Sequence, residues 1–370
     1  MNSSPPRFPL SYCLNVHDAA TWNAVRKALD TEVLAVKQRV APDRTFPLSL
    51  HLGNRALREA SAPANRARLR DWLARNDCVL LALNAFPYGR FQGVRVKENV
   101  YRPNWTDPDR LAYTRLACAF LSGYVPAGAT GTVTTVPGGW RGEWISPDDD
   151  YAALKNLRQA AALCRDLGKV RIAVEPEPGC AWDLFDKRVE NTGPEIGWCL
   201  DACHAAVEFR PLEKIDWSRI VRMQLSAAIE CDNVPAARAA LAPFAEPNYL
   251  HQTRAALDGE IIGEWPDLAP ALAELPKLPA RAVVRTHYHV PLTWKGSGPL
   301  RSTRDLLPPA IFKKARQVFG EVETYTYSVL PEKMRSATLA DGIAAELRWA
   351  AARYGSSSLA NLNTVSPGLA

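Results

Sequence analysis

The chain has 370 residues, 47% hydrophobic and 23% charged, which supplies apolar material for a large core and argues against extended disorder. Its net charge of +6 is small and its Lys and Arg are scattered, which gives nucleic-acid binding little support. No apolar run nears the length of a membrane span, and the Pro-rich start Met1–Leu10 has no apolar h-region.

Eight Cys occur without a C-x-x-C pair, the closest being Cys199 and Cys203, so buried free thiols in a reducing, cytoplasmic compartment are expected. Length alone suggests two or three domains, but α/β barrels commonly run past about 250 residues as one unit.

Short apolar runs ending in polar residues alternate with stretches of helical spacing, the pattern of repeated βα units. In chain order the expected strands are Tyr12–Val16, Phe46–Leu52, Cys78–Phe86, Thr130–Val136, Val170–Val174, Ile196–Leu200, Ile220–Leu225, Ala282–Val290 and Glu321–Tyr327. Nine is one more than a barrel needs. Either Ala282–Val290 or an end segment is an extra strand or insertion, and the sequence does not decide which.

Helices are expected at Asp18–Leu29, Arg66–Arg75, Asp107–Leu121, Pro147–Leu167, Pro308–Phe319 and Ala340–Tyr354. Pro147–Leu167 is the plainest: Ser146 can cap it, Pro147 suits the first turn, and Asp148 to Asp150 suit the positive end of the dipole. Its apolar face reads Tyr151, Leu154, Leu157, Ala161, Cys164 and Leu167. The expected organisation is a flexible N-terminus over 1–10, one TIM-type (β/α)8 barrel over 11–355 with a C-terminal helix, and a flexible tail over 356–370.

A parallel barrel gathers the loops after its strands at one end, so polar residues at strand ends converge there. The first run ends at His17, the fifth at Glu175-Pro176-Glu177, the sixth at Asp201 with His204 three residues on, and the seventh contains Gln224. In an extended strand Arg285, His287 and His289 share one face, as do Glu321, Glu323 and Tyr325. A carboxylate leaving an apolar strand is costly to bury unless it is paired or coordinates a metal, and Glu175, Asp201 and Glu323 all meet that description. Any one of them alone is as well explained by an Arg salt bridge; their joint placement points to a divalent cation. Oxygen ligands suit Mg²⁺ or Mn²⁺, and added imidazole shifts the preference toward Mn²⁺, Co²⁺ or Zn²⁺. A lone His such as His17 reads first as scaffold, whereas His287 and His289 together are harder to dismiss. The run Phe86-Pro87-Tyr88-Gly89-Arg90-Phe91 reads as packing of a long loop or as the wall of a sugar pocket.

The runs Tyr12-Cys13-Leu14-Asn15-Val16-His17, Asn84-Ala85-Phe86-Pro87-Tyr88-Gly89, Val174-Glu175-Pro176-Glu177-Pro178, Cys199-Leu200-Asp201-Ala202-Cys203-His204, Tyr249-Leu250-His251-Gln252 and Glu321-Val322-Glu323-Thr324-Tyr325 together resemble the EboE metabolite-traffic family over nearly the whole chain. That family belongs to the xylose-isomerase-like barrel superfamily, with sugar-phosphate isomerases, ketose epimerases and endonuclease IV. In the ketose epimerases a metal is held by Glu, Asp, His and Glu after the fifth to eighth strands. The resemblance carries the first, second and fourth roles to Glu175, Asp201 and Glu323, and a substrate-binding role to His204. Gln224 stands where the seventh-strand His would be, so either His289 supplies the nitrogen or metal binding is weakened.

The resemblance implies a divalent-metal-dependent isomerase or epimerase of a sugar- or cyclitol-like metabolite, acting through an ene-diolate stabilised by the metal. Glu175 and Glu323 serve as base and acid, and His17, Glu177, His204, Gln224, Arg285 and His287 bind substrate. The alternative is a non-catalytic binding or handover protein that works with other proteins of a metabolite-export cluster. Phosphodiester hydrolysis as in endonuclease IV needs more His and Asp ligands than these runs offer, and the low charge also argues against it.

Overall fold

The computed structural model describes residues 10–144 and 146–354. The expected flexible tail, and the expected flexible start apart from Leu10, lie outside those residues.

Eight short runs form one parallel sheet. They are β1 (Leu10–Tyr12), β2 (Phe46–His51), β3 (Cys78–Asn84), β4 (Gly131–Thr135), β5 (Val170–Val174), β6 (Ile196–Asp201), β7 (Ile220–Leu225) and, after the six strands β8 (Ile229–Asp232), β9 (Thr253–Leu257), β10 (Glu260–Trp265), β11 (Val283–Thr286), β12 (Gly296–Ser297) and β13 (Leu300–Ser302), the eighth, β14 (Phe319–Val322). The order is β1-β14-β7-β6-β5-β4-β3-β2, and a parallel bridge from Cys13 to Ser49 joins the two ends into a nearly closed barrel. Their side chains are almost wholly buried, as expected for strands covered on both faces.

Residues 226–318 resolve the surplus strand. They contribute an antiparallel sheet of order β10-β9-β11-β8-β13-β12 between β7 and β14. The expected strand Ala282–Val290 therefore lies outside the barrel and ends at Thr286, paired antiparallel to β8 and β9. The two end strands are also shorter than expected: the chain turns into 3-10 helix at Leu14–Val16 and again at Tyr325–Ser328. Strict alternation stops with the strand, so Glu321 and Tyr325 do not share one flat face.

Local chemistry explains the helices best where it is strongest. Over Pro147–Leu167, Ser146 and Asp149 form a capping box, and Gly168 ends the helix at φ 70°, a conformation that suits glycine. Leu154, Leu157, Ala161 and Cys164 face the core, but Tyr151 is 69% exposed and does not belong to the apolar face. All eight Cys are free and buried. Among the described residues no helix is long and apolar enough to cross a membrane.

The lumen below the mouth is polar where such barrels usually hold branched aliphatic layers. Arg222 on β7 and Glu321 on β14 are fully buried there. Arg222 Nε and Nη2 donate to Glu321 Oε1 at 2.8 and 2.5 Å, Nη2 also donates to Ser49 Oγ at 2.6 Å, and Nη1 donates to Leu83 O at 3.0 Å. This pair ties β7, β14, β2 and β3 together across the interior.

Candidate active site

β5 leads directly into Glu175, Pro176 and Glu177. β6 ends at Asp201, which caps the short helix Ala202–Val207 by accepting the His204 N–H at 2.8 Å. Glu323 follows β14. Glu175, Asp201 and Glu323 are 4%, 2% and 3% exposed, and each offers an oxygen within 4.8 Å of the others.

Their environments split their acidities. Burial holds Glu175 well above the ordinary carboxylate value, and neighbouring Asp201 adds to the effect. Glu323 is raised by burial first and by Glu175 second. Burial also works against Asp201, but His204, His289 and the His204 N–H outweigh it and leave this carboxyl low. Ser226 Oγ sits 2.9 Å from both Asp201 oxygens. Gln224 Nε2 donates to Glu175 Oε2 at 3.2 Å, and Asn15 Nδ2 donates to Glu323 Oε1 at 2.5 Å. Glu323 Oε2 is buried with no hydrogen-bond partner among the described residues.

The insertion supplies two of the imidazoles. Leaving β11, residues 287–290 cross the barrel mouth, anchored by the His287 N–H to Gln252 O and the Val290 N–H to Ala227 O at 2.8 and 2.9 Å. Each imidazole holds its Nδ1 against a carbonyl oxygen: His204 to Pro176 O at 2.9 Å, His287 to Gln252 Oε1 at 2.6 Å, His289 to Glu323 O at 2.8 Å. A carbonyl only accepts, so these partners assign the proton to Nδ1 and leave Nε2 bare. Burial, the largest influence on each ring, holds all three below the ordinary histidine value and so neutral at pH 7. The His204 and His287 Nε2 atoms lie 3.1 Å apart, and His289 Nε2 has no partner among the described residues. Asp201 groups with His204 and His289, and Glu177 with His204 and His287, at distances that suit a shared ion.

Bare Nε2 atoms, with Nδ1 oriented by a carbonyl, are the arrangement that metal-binding histidines adopt. Together with the unpartnered Glu323 oxygen, this donor set fits a divalent cation.

The structure thus brings together Glu175, Glu177, Asp201, His204, Gln224, His287, His289 and Glu323. Two expected residues stand elsewhere. Arg285 is still on β11, where its Nε donates to Glu230 Oε2 and its Nη1 to Ala206 O, both at 2.8 Å, and its guanidinium lies over the Phe209 ring; antiparallel register sets Arg285 opposite Glu230. His17 packs beside Tyr12, with Nε2 3.1 Å from the hydroxyl, in a scaffold position. Asn15, Ser226 and Gln252 were not among the expected site residues. Asn15 and Gln252 do fall inside runs that carried the resemblance, which was the available signal.

No family model and no curated protein matches the chain. Among solved structures it is similar to the IolI protein crystallised with a bound zinc atom, at 13% identity over 94% of this chain and 98% of that one, with a TM-score of 0.51. It is also similar to a xylose isomerase domain protein from Alicyclobacillus acidocaldarius, at 14% identity over 96% and 99% of the two chains, with a TM-score of 0.45. A third likeness is to a D-allulose 3-epimerase from Methylomonas sp., at 14% identity over 60% and 74%, with a TM-score of 0.40. The first likeness, with the strand order, shows the fold to be a TIM-type barrel like that of IolI.

Proposed function

We propose that this protein is a divalent-metal-dependent isomerase or epimerase of a sugar- or cyclitol-like α-hydroxycarbonyl compound, of the EboE metabolite-traffic type. One observation carries the reading: two buried carboxyls raised above the ordinary carboxylate value, Glu175 and Glu323, share the barrel mouth with a low carboxyl and three bare imidazole nitrogens. Glu175, Asp201, Glu323 and His289 would hold Mn²⁺, Zn²⁺, Co²⁺ or Mg²⁺, and the zinc in the IolI structure supports a cation in a barrel of this kind. When bound, the ion supplies polarisation of adjacent substrate oxygens and stabilises charge on them.

The chain's own residues do the rest. Glu175 and Glu323 leave strands separated in the sheet by β6 and β7, so they approach a reacting carbon from different sides as proton acceptor and donor. Asn15 orients Glu323 and Gln224 orients Glu175, while His204 and His287, with Nε2 atoms 3.1 Å apart, either meet substrate hydroxyl groups or share the ion. In deuterated water, Glu175→Gln and Glu323→Gln should each abolish proton exchange at the substrate α-carbon while the fold persists. Exchange retained in both would sink the mechanism.

Gln224 favours a second reading, in which the pocket binds a metabolite and hands it to proteins of an export cluster. A Gln in place of an imidazole, bonded to a would-be ligand, weakens metal affinity. Purified protein that holds no metal yet binds a ligand tightly would select this carrier.

A further inference from the structure

The mouth of the barrel has two chemically opposed walls. Glu175, Glu177, Glu323 and the imidazoles form one; Phe86, Phe91, Val100, Tyr249, Leu250 and Tyr325 line the other. The rings of Phe91, Tyr249 and Tyr325 close into a triangle with centroids 5.0, 5.2 and 5.1 Å apart. Tyr249 directs its hydroxyl away to Gln92 Oε1 at 2.8 Å, and the Tyr325 hydroxyl turns to the imidazole side, 3.4 Å from His287 Nε2, so the ring faces between them present carbon. Such a surface gains by covering an apolar group and offers few partners to a hydroxylated one.

Charge limits the ligand as firmly. Lys97 is the one cationic side chain among the described lining residues, and its ammonium is already held by Glu246 O, Tyr249 O and Asp267 Oδ2 at 3.1, 2.6 and 2.6 Å. An ammonium has three donors, and all three are used. The arginines of the neighbouring cleft are engaged too: Arg141 with Cys180 O, Arg210 with Asp183, Arg254 with Glu208 and Glu264. Among the described residues that line the pocket, a phosphate entering beside three carboxyls would find no uncommitted cationic side chain to neutralise it.

We infer that the site takes an uncharged α-hydroxycarbonyl compound whose other end is an apolar ring, and that it rejects phosphorylated sugars. This rests on the isomerase reading, which puts the hydroxycarbonyl end on the acid and imidazole wall and leaves the rest of the ligand against Phe91, Tyr249 and Tyr325.

Calorimetric titration of the full chain in the presence of Mn²⁺ tests it with three probes: 1-hydroxy-3-phenylpropan-2-one, dihydroxyacetone and dihydroxyacetone phosphate. The phenyl ketone should bind at least about tenfold tighter than dihydroxyacetone, the gain of covering one ring, with the phosphate ester weakest. Phe91→Ala should narrow the gap to about threefold; should that variant not fold, the three-probe series on the unaltered protein decides alone. Equal affinity for the two neutral ketones, no binding of the phenyl ketone, or tightest binding of the phosphate ester overturns the assignment. Tight phenyl-ketone binding without α-proton exchange in deuterated water retires the isomerase reading and leaves the ligand assignment standing.

Discussion

His204 and His287 meet nitrogen to nitrogen, their Nε2 atoms 3.1 Å apart with both Nδ1 protons committed to carbonyl oxygens. Two lone pairs at that distance in a buried site repel, and a shared proton or a cation relieves them. His204 and His287, with Glu177 beside them, would hold such a cation through their bare nitrogens, and the ion would remove the repulsion between the two lone pairs.

Metal uptake should release protons. A cation binds the ionised carboxylates, and Glu175 and Glu323 are raised, chiefly by burial, so uptake competes with protons on these two groups, while the three histidines are neutral. Affinity for Zn²⁺ or Co²⁺ should accordingly climb with pH until both carboxyls are ionised. Calorimetry in two buffers of different ionisation heat measures the released protons; pH-independent binding without release would count against this donor set.

Gln252 holds His287 Nδ1 against its Oε1 and donates its Nε2 to Glu177 Oε1 at 3.0 Å, but does not touch Glu175, Asp201 or Glu323. Gln252→Ala should weaken zinc affinity about 10- to 100-fold, the usual cost of removing a ligand's support, with little change in the far-ultraviolet circular dichroism. A competition titration against a chromophoric chelator reads the change. Unaltered affinity would mean that His287 takes no part in binding the ion.

The ion pair in the lumen gives a stability prediction. Glu321→Gln strands the Arg222 charge where no water reaches it, and should cost about 3–5 kcal/mol in urea unfolding. Arg222→Met combined with Glu321→Gln should recover most of that loss. A double variant as unstable as the single one would show that shape, and not charge, is what the pair contributes.

A different carboxyl should govern a pH effect on stability. Glu346, on the C-terminal helix, accepts from Thr324 Oγ1, Tyr327 Oη and the Leu292 N–H, and burial pushes it up to about 7. A carboxyl raised in the native state favours folding while it is protonated. That contribution is complete below its ordinary value of 4.5 and is lost as pH rises toward 7, a change of roughly 3 kcal/mol across the window. The stability difference between wild type and Glu346→Gln, measured at pH 5 and pH 8, should shift by about that amount in favour of the variant at the higher pH. A constant difference would place the ionisation elsewhere.

The barrel was legible wherever its signals are local. Ser146 and Asp149 mark a helix start by their own hydrogen bonds, and the apolar runs of β2 to β7 cannot stay in water. Ala282–Val290 has the same apolar character as a barrel strand, and only its partners β8 and β9, distant in sequence, decide that it pairs antiparallel outside the barrel. The same ambiguity misplaced Arg285: counting alternate residues grouped it with His287, but the strand ends at Thr286, between them. The acidic half of the site could be read because a carboxylate after an apolar strand is conspicuous. Gln252 could not, since its importance comes from a ring 35 residues away.

Because His287 and His289 ride on the segment that leaves β11, the centre has two independent architects. The cylinder dictates where the acids stand; an appended module dictates how much nitrogen joins them. Substitutions confined to residues 226–318 can retune which ion and which small molecule are preferred while the cylinder's own strand pairing stays untouched.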